Sequence, residues 1–108
     1  MTKVQYDEEN FSLTIDGHAG SAPKGEDLVC AAVSMLAFTL EAAVKDHMET
    51  LLPSVYHADG KIVIRCTPAP RHKKTCRTIF RTIFAGFELL GQQYPEYVQA
   101  IQTEQEGM

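Results

Sequence analysis

Residues 11–34 read Phe11-Ser12-Leu13-Thr14-Ile15-Asp16-Gly17-His18-Ala19-Gly20-Ser21-Ala22-Pro23-Lys24-Gly25-Glu26-Asp27-Leu28-Val29-Cys30-Ala31-Ala32-Val33-Ser34, and the hydrophobic period changes part-way along. Phe11, Leu13 and Ile15 alternate with Ser12, Thr14 and Asp16, the pattern of a half-buried strand. Three glycines and a proline follow within residues 17–26, which predicts a loop. Val29, Val33, Leu36, Leu40 and Ala43 then recur at helical spacing, and no proline or glycine falls between Leu28 and Met48. A helix over 28–49 is predicted, with Asp27 as its N-cap.

Working outward, residues 2–7 form a first strand, with Val4 and Tyr6 on one side, and Asp7-Glu8-Glu9-Asn10 a turn into the second. After the helix, Pro53 marks a break. Ser54–His57 and Lys61–Cys66 flank Ala58-Asp59-Gly60, a hairpin signal because Asp-Gly suits a tight turn. Thr67-Pro68-Ala69-Pro70 ends that strand, and Lys73 to Leu90 regains helical period, with Ile79, Phe80, Ile83, Phe84, Phe87 and Leu90 on one face. Gly91 is placed as its C-cap. Pro95 opens a short C-terminal segment carrying Tyr97 and Ile101, and residues 103–108 are polar and expected to fray. The order is strand, strand, helix, twice. The predicted fold is an α+β domain, ββαββα, with an antiparallel sheet and two helices packed on one face.

The bulk properties bound the rest. The 108 residues, 44% hydrophobic and 22% charged, make one globular domain over 1–108. No run is read as approaching the ~18 apolar residues of a membrane span, and the N-terminus shows no apolar signal region. Three cysteines without a Cys-x-x-Cys point to a reducing, cytoplasmic setting. The net charge of −4 is unevenly spread. Residues 1–60 hold three Lys/Arg against ten Asp/Glu, a net −7, while residues 61–108 hold seven against four, a net +3.

Chemistry concentrates on Cys30 and His18. In the predicted helix Cys30 is the third residue, where unpaired backbone N–H groups and the dipole favour a thiolate. The same groups suit a developing oxyanion. His18, the nearest histidine in sequence, is the base such a thiol needs. Cys30 shares a helix track with Ser34, Ala37 and Glu41, on the flank of the core stripe. The competing reading is a packed, inert cysteine, since free cysteine behaves as a small hydrophobe. Cys66 and Cys76 take that reading, one on a strand face and one a turn before Phe80.

Gly17-His18-Ala19-Gly20, followed by Asp27-Leu28-Val29-Cys30-Ala31-Ala32-Val33-Ser34, resembles the paired signature of the ribosomal-processing cysteine protease (Prp) family. Gln93-Tyr94-Pro95-Glu96-Tyr97-Val98 is similar to a further C-terminal pattern of that family. The resemblance implies a small cytoplasmic endopeptidase, typically a homodimer, that removes an N-terminal extension from a large-subunit ribosomal protein. It implies Cys30 as nucleophile and His18 as general base, with Gly17, Asp27 and Ser34 in supporting places. Ser21 departs from it, standing where many relatives carry an aromatic residue. Ser21, Ala22, Pro23, Lys24 and Gly25 are read as a substrate-access loop. Asp27 has two open roles, capping the helix or orienting His18.

Two other classes stand beside the peptidase. Arg71, Lys73, Lys74, Arg77 and Arg81 make a basic stretch suited to a non-enzymatic ribosome- or RNA-binding module, although Phe80 and Phe84 face the core rather than a stacked base. His18, Cys30, His57, Cys66, His72 and Cys76 lack the spacing of a known zinc site. No metal or cofactor is expected.

Overall fold

The structure, a computed structural model, describes residues 1–17 and 24–103, and of residues 24–27 the backbone alone. Its elements are β1 (Thr2–Asp7), β2 (Ser12–Asp16), α1 (Lys24–Lys45), α2 (Met48–Leu51), β3 (Pro53–Ala58), β4 (Lys61–Cys66), α3 (Lys73–Gln93) and β5 (Val98–Thr103), with a 3-10 turn over Pro70–His72 before α3. The described strands form one sheet in the order β3-β4-β2-β1-β5.

Hairpins β1–β2 and β3–β4 are antiparallel, and β4 pairs with β2 antiparallel. The fully antiparallel sheet expected from sequence is corrected by β5, which runs parallel to β1 with Val98 opposite Thr2. The segment after Pro95 is therefore a strand, and the sheet is mixed. Of residues 103–108, expected to fray, Thr103 is the last residue of β5 and 104–108 lie outside the described residues.

This order explains why both long helices share one face. β2 runs parallel to β3 and is joined to it by α1, crossing β4 (β2→α1→β3). β4 runs parallel to β5 and is joined to it by α3, crossing β2 and β1. The two crossovers leave from antiparallel strands and travel in opposite directions along the sheet. Crossovers of the same right hand must then fall on the same face. The core confirms it: Val4, Tyr6, Leu13, Ile15, Ile64, Cys66 and Val98 from the strands meet Val29, Val33, Ala37, Leu40 and Val44 of α1 and Cys76, Phe80, Phe84 and Phe87 of α3. The two helices touch at Gly86, where an added Cβ would stand 2.8 Å from Leu36 Cδ2.

Several boundaries move. Helix α1 begins at Lys24, four residues before the expected start, so Asp27 lies inside the helix and is not its N-cap. Lys24 and Gly25 belong to the helix and not to a loop. Pro23 precedes Lys24 in the sequence, and a proline suits the entry to a first turn. The helix ends at Lys45; α2 is a separate turn closed by Leu52 in the left-handed conformation, φ 46°. Ala37 is fully buried rather than on the polar flank. Gly91 lies within α3, where an added Cβ would meet the Val98 carbonyl at 3.4 Å, so it serves the α3–β5 contact and not a C-cap.

The stretch Leu28–Lys45 is also long and apolar enough to cross a membrane, contrary to the sequence reading. One side of it is a core face. The other exposes Leu28, Met35 and Phe38, at 71%, 65% and 53%.

At the end away from Cys30, Tyr6 stacks on Phe80 with centroids 5.6 Å apart, and Phe11 leans on Phe80 at 6.5 Å. Arg81 grips Glu8 through two nitrogens, Nη2 to Oε2 at 2.7 Å. Arg77 lies over the Phe11 ring at 5.9 Å. Two members of the basic stretch are thus committed to contacts within the chain.

The bond from Arg81 holds the Glu8 carboxyl below its usual range, with nearby positive charge adding to it against partial burial. A depressed acid stabilises the fold above its unfolded value, about 4.3, and that contribution is lost as pH falls through the depressed value. Arg81→Ala should therefore lower the melting temperature at pH 7. Its deficit relative to wild type should shrink steadily at acid pH, once Glu8 is protonated in both proteins. Thermal melts across that range check it; a deficit independent of pH would contradict it.

Candidate active site

Cys30 stands on the flank of α1, half-buried, beside the C-terminal end of β2. Around it lies a cleft of about 410 Å³. One wall is α1, giving Cys30, Val33, Ser34 and Phe38. The other is the sheet end, giving Ile15 and Gly17 from β2 and its exit, and His57, Gly60, Lys61 and Ile62 from the β3–β4 hairpin. A hollow of about 480 Å³ between α3 and β5, lined by Met1, Glu88, Pro95 and Gln99 among others, has no cysteine, serine or histidine among the described residues that line it.

The sequence folds this way because three backbone devices converge. The Asp59-Gly60 turn closes β3–β4 with Gly60 at φ 74°. The Gly17 N–H donates to the Gly60 carbonyl at 2.9 Å, tying the end of β2 to that turn. Gly17 has φ 138°, and an added Cβ would lie 2.5 Å from the Met1 carbonyl oxygen and 2.9 Å from Thr2 Cα. Only glycine fits there. Gly17→Ala should destabilise by about 1–3 kcal/mol and, by shifting the residue next to His18, lower peptide cleavage at least ~10-fold. A melt and a cleavage assay on the variant check both. Wild-type values in each would contradict the role.

Cys30 is the seventh residue of α1, not the third. In a regular helix its N–H is used by the carbonyl four residues back, so it is not among the unpaired first-turn groups. Helix-end stabilisation of a Cys30 thiolate is weakened accordingly, and what the fold offers Cys30 is a place on the wall of the cleft. His18, Ser21, Ala22 and Pro23 lie outside the described residues. Ser34, one turn beyond Cys30, lines the cleft. Asp27 precedes Cys30 on α1, with its side chain outside the description.

The other two cysteines are buried in the core, at 2% and 0% exposure. A hydrogen bond shared with Cys76, together with burial, pushes the Cys66 thiol well above its ordinary range, which keeps it protonated and unreactive. Among the described residues no three of His, Cys, Asp and Glu gather to hold a metal ion.

Sequence reading missed His57 and Phe38 as cleft residues. His57 Nε2 lies 3.0 Å from Glu41 Oε1, and Lys45 Nζ donates to Glu41 Oε2 at 2.6 Å. Those bonds, the one from Lys45 first, hold the Glu41 carboxyl below its usual range. The available signal was the track Cys30, Ser34, Glu41, which puts a carboxylate on the same flank of α1 as Cys30.

The family model for the cysteine protease Prp matches residues 1–99. The chain belongs to the Prp cysteine protease family. It is accordingly a cysteine protease. A Streptococcus mutans structure, SMU.848, is 27% identical, with a TM-score of 0.71 over 96% of this chain and 93% of that one. Two structures of the Staphylococcus aureus ribosomal processing protease Prp share the fold. One, with a covalently linked product peptide, is 22% identical with a TM-score of 0.76 over 95% of this chain and 100% of that one. The other, with a substrate peptide, is 20% identical with a TM-score of 0.74 over 94% and 97%. No curated protein matches the chain.

Proposed function

We propose that this chain is an endopeptidase that removes the N-terminal extension of a large-subunit ribosomal protein, with Cys30 as nucleophile and His18 as general base. The observation that carries this reading is the cleft. It sets Cys30 on one wall and Gly17, whose next residue in sequence is His18, on the other. The S. aureus relatives, one joined covalently to a product peptide and both described as ribosomal processing proteases, support the substrate class.

In the proposed reaction His18 takes the Cys30 proton, and the sulfur attacks the scissile carbonyl carbon. The C–N bond then breaks as His18 returns the proton to the leaving amine, leaving a thioester on Cys30. Water, deprotonated by His18, attacks the thioester carbonyl and releases the new C-terminus and the thiol. No metal or cofactor enters this chemistry. The cytoplasm, where thiols stay reduced, suits such a nucleophile.

A homodimer belongs to the same proposal. The exposed Leu28, Met35 and Phe38 run along one side of α1, an apolar stripe of the kind that marks an interface, and Phe38 also lines the cleft. The test is a panel of peptides bearing ribosomal-protein N-terminal extensions, digested by enzyme whose mass is measured by sedimentation equilibrium. A single cut between extension and mature sequence, made by a dimer, is expected. Cleavage scattered through unrelated peptides would overturn the substrate, and a monomer at micromolar concentration would overturn the dimer.

A further inference from the structure

Resting on that reading of Cys30, we propose that His57, locked by Glu41, is a substrate-gripping residue of the same cleft that accepts a backbone N–H from the bound peptide several residues from the scissile bond. Glu41 holds the arrangement together. It is only 17% exposed and its two oxygens are divided between two partners, Lys45 on Oε2 and His57 on Oε1. Lys45, then His57, keep the carboxylate ionised. An ionised carboxylate only accepts hydrogen bonds, so His57 Nε2 carries the proton and donates it. In the neutral ring this fixes the tautomer and leaves Nδ1 as an acceptor.

The imidazole is thereby held in one orientation on a side chain that is 48% exposed and lines the cleft. A hydrogen-bond acceptor whose direction is set before substrate arrives loses little freedom on binding, which makes it a useful grip. Its place along the cleft follows from α1. Glu41 is eleven residues after Cys30, about 16 Å along a helix at 1.5 Å per residue. An extended peptide covers that span in about five residues. His57, which reaches Glu41 from β3, meets substrate within about five residues of the cut. Between the two lie Ser34 and Phe38, a polar and an apolar contact for the intervening chain. The ligand class is thus an extended peptide segment recognised through its backbone, over and above side chains next to the scissile bond.

The experiment compares wild type, His57→Ala and Cys30→Ala on three substrates. These are a long extension peptide, a peptide trimmed to two residues either side of the cut, and long peptides carrying one N-methyl group at successive positions. His57→Ala should raise KM for the long peptide about fivefold, with kcat unchanged, and should cleave the trimmed peptide as wild type does. N-methylation at one position within about five residues of the cut should cause the same loss in wild type and none in His57→Ala. Equal losses on long and trimmed peptides would make His57 merely structural and overturn the inference. Unchanged kinetics on every substrate would overturn it too. Cleavage surviving in Cys30→Ala removes the reading on which it rests, whereas an essential Cys30 with an indifferent His57 removes the inference alone.

Discussion

Replacing Cys30 by alanine should lower kcat/KM for peptide cleavage by at least ~10⁴-fold, and His18→Ala should do nearly the same. In the proposed dyad the two act as one unit, since a nucleophile without its base is poorly activated and a base without a thiol has nothing to activate. The double variant should therefore be no worse than either single one, a large departure from additivity. Stability should barely move in Cys30→Ala, because the side chain is half-buried on the flank of α1 and only one sulfur atom is removed. Steady-state kinetics of the three variants, with thermal melts to establish folding, check the claim. Losses that multiply in the double variant would show two independent contributors and contradict a dyad.

Phe80→Ala is the largest expected effect on the fold. Phe80 is fully buried, stacked within 6° of parallel on Tyr6, and touched by Phe11. Truncating a buried phenylalanine costs about 3–5 kcal/mol, the lost transfer energy plus an unfilled cavity. A domain holds about 5–15 kcal/mol in total, so much of the stability goes. Chemical denaturation should show a midpoint shifted by at least ~3 kcal/mol at unchanged slope, whereas Thr82→Ala, on the exposed side of α3, should shift it by less than ~0.5. The aromatic cluster lies away from the Cys30 cleft, so the folded fraction of Phe80→Ala should keep its KM. A small shift would mean that the neighbours collapse into the space, which the parallel Tyr6 ring argues against.

The two effects separate what was legible in the sequence from what was not. Period-two alternation at Phe11, Leu13 and Ile15, the Asp59-Gly60 turn and the Phe80, Phe84, Phe87 stripe each carried a local signal, and each element stands close to where that signal placed it, although Phe11 is buried from the turn before β2, at φ 47°, and not from the strand. β5 carried little signal of its own. Its pairing with β1 is parallel and spans nearly the whole chain, so it is decided by the α3 crossover and not by the residues of the strand. The start of α1 was hidden because Gly25 opposes helix by propensity, while the packing of Val29 and Val33 beyond it favours continuing the helix upstream.

The same division runs through the site. Cys30, Gly17 and Ser34 were found by motif and spacing, and the cleft brings all three together. His57 was passed over because a histidine beside an Asp-Gly turn reads as a solvated hairpin residue. Its partner Glu41 is sixteen positions away, and only the β3–α1 packing joins them. The expected thiolate-favouring helix end failed for a physical reason as well. Three helical residues added upstream of Asp27 move the unpaired N–H groups away from Cys30.

The most direct test of the central claim is rapid acid quench of the wild-type enzyme with an extension peptide, followed by intact-mass and peptide-level mass spectrometry. The account predicts a transient adduct equal in mass to the N-terminal fragment, held as a thioester on Cys30, absent from Cys66 and Cys76, and absent from Cys30→Ala. Cleavage that proceeds at the wild-type rate after Cys30 has been alkylated or replaced would contradict it.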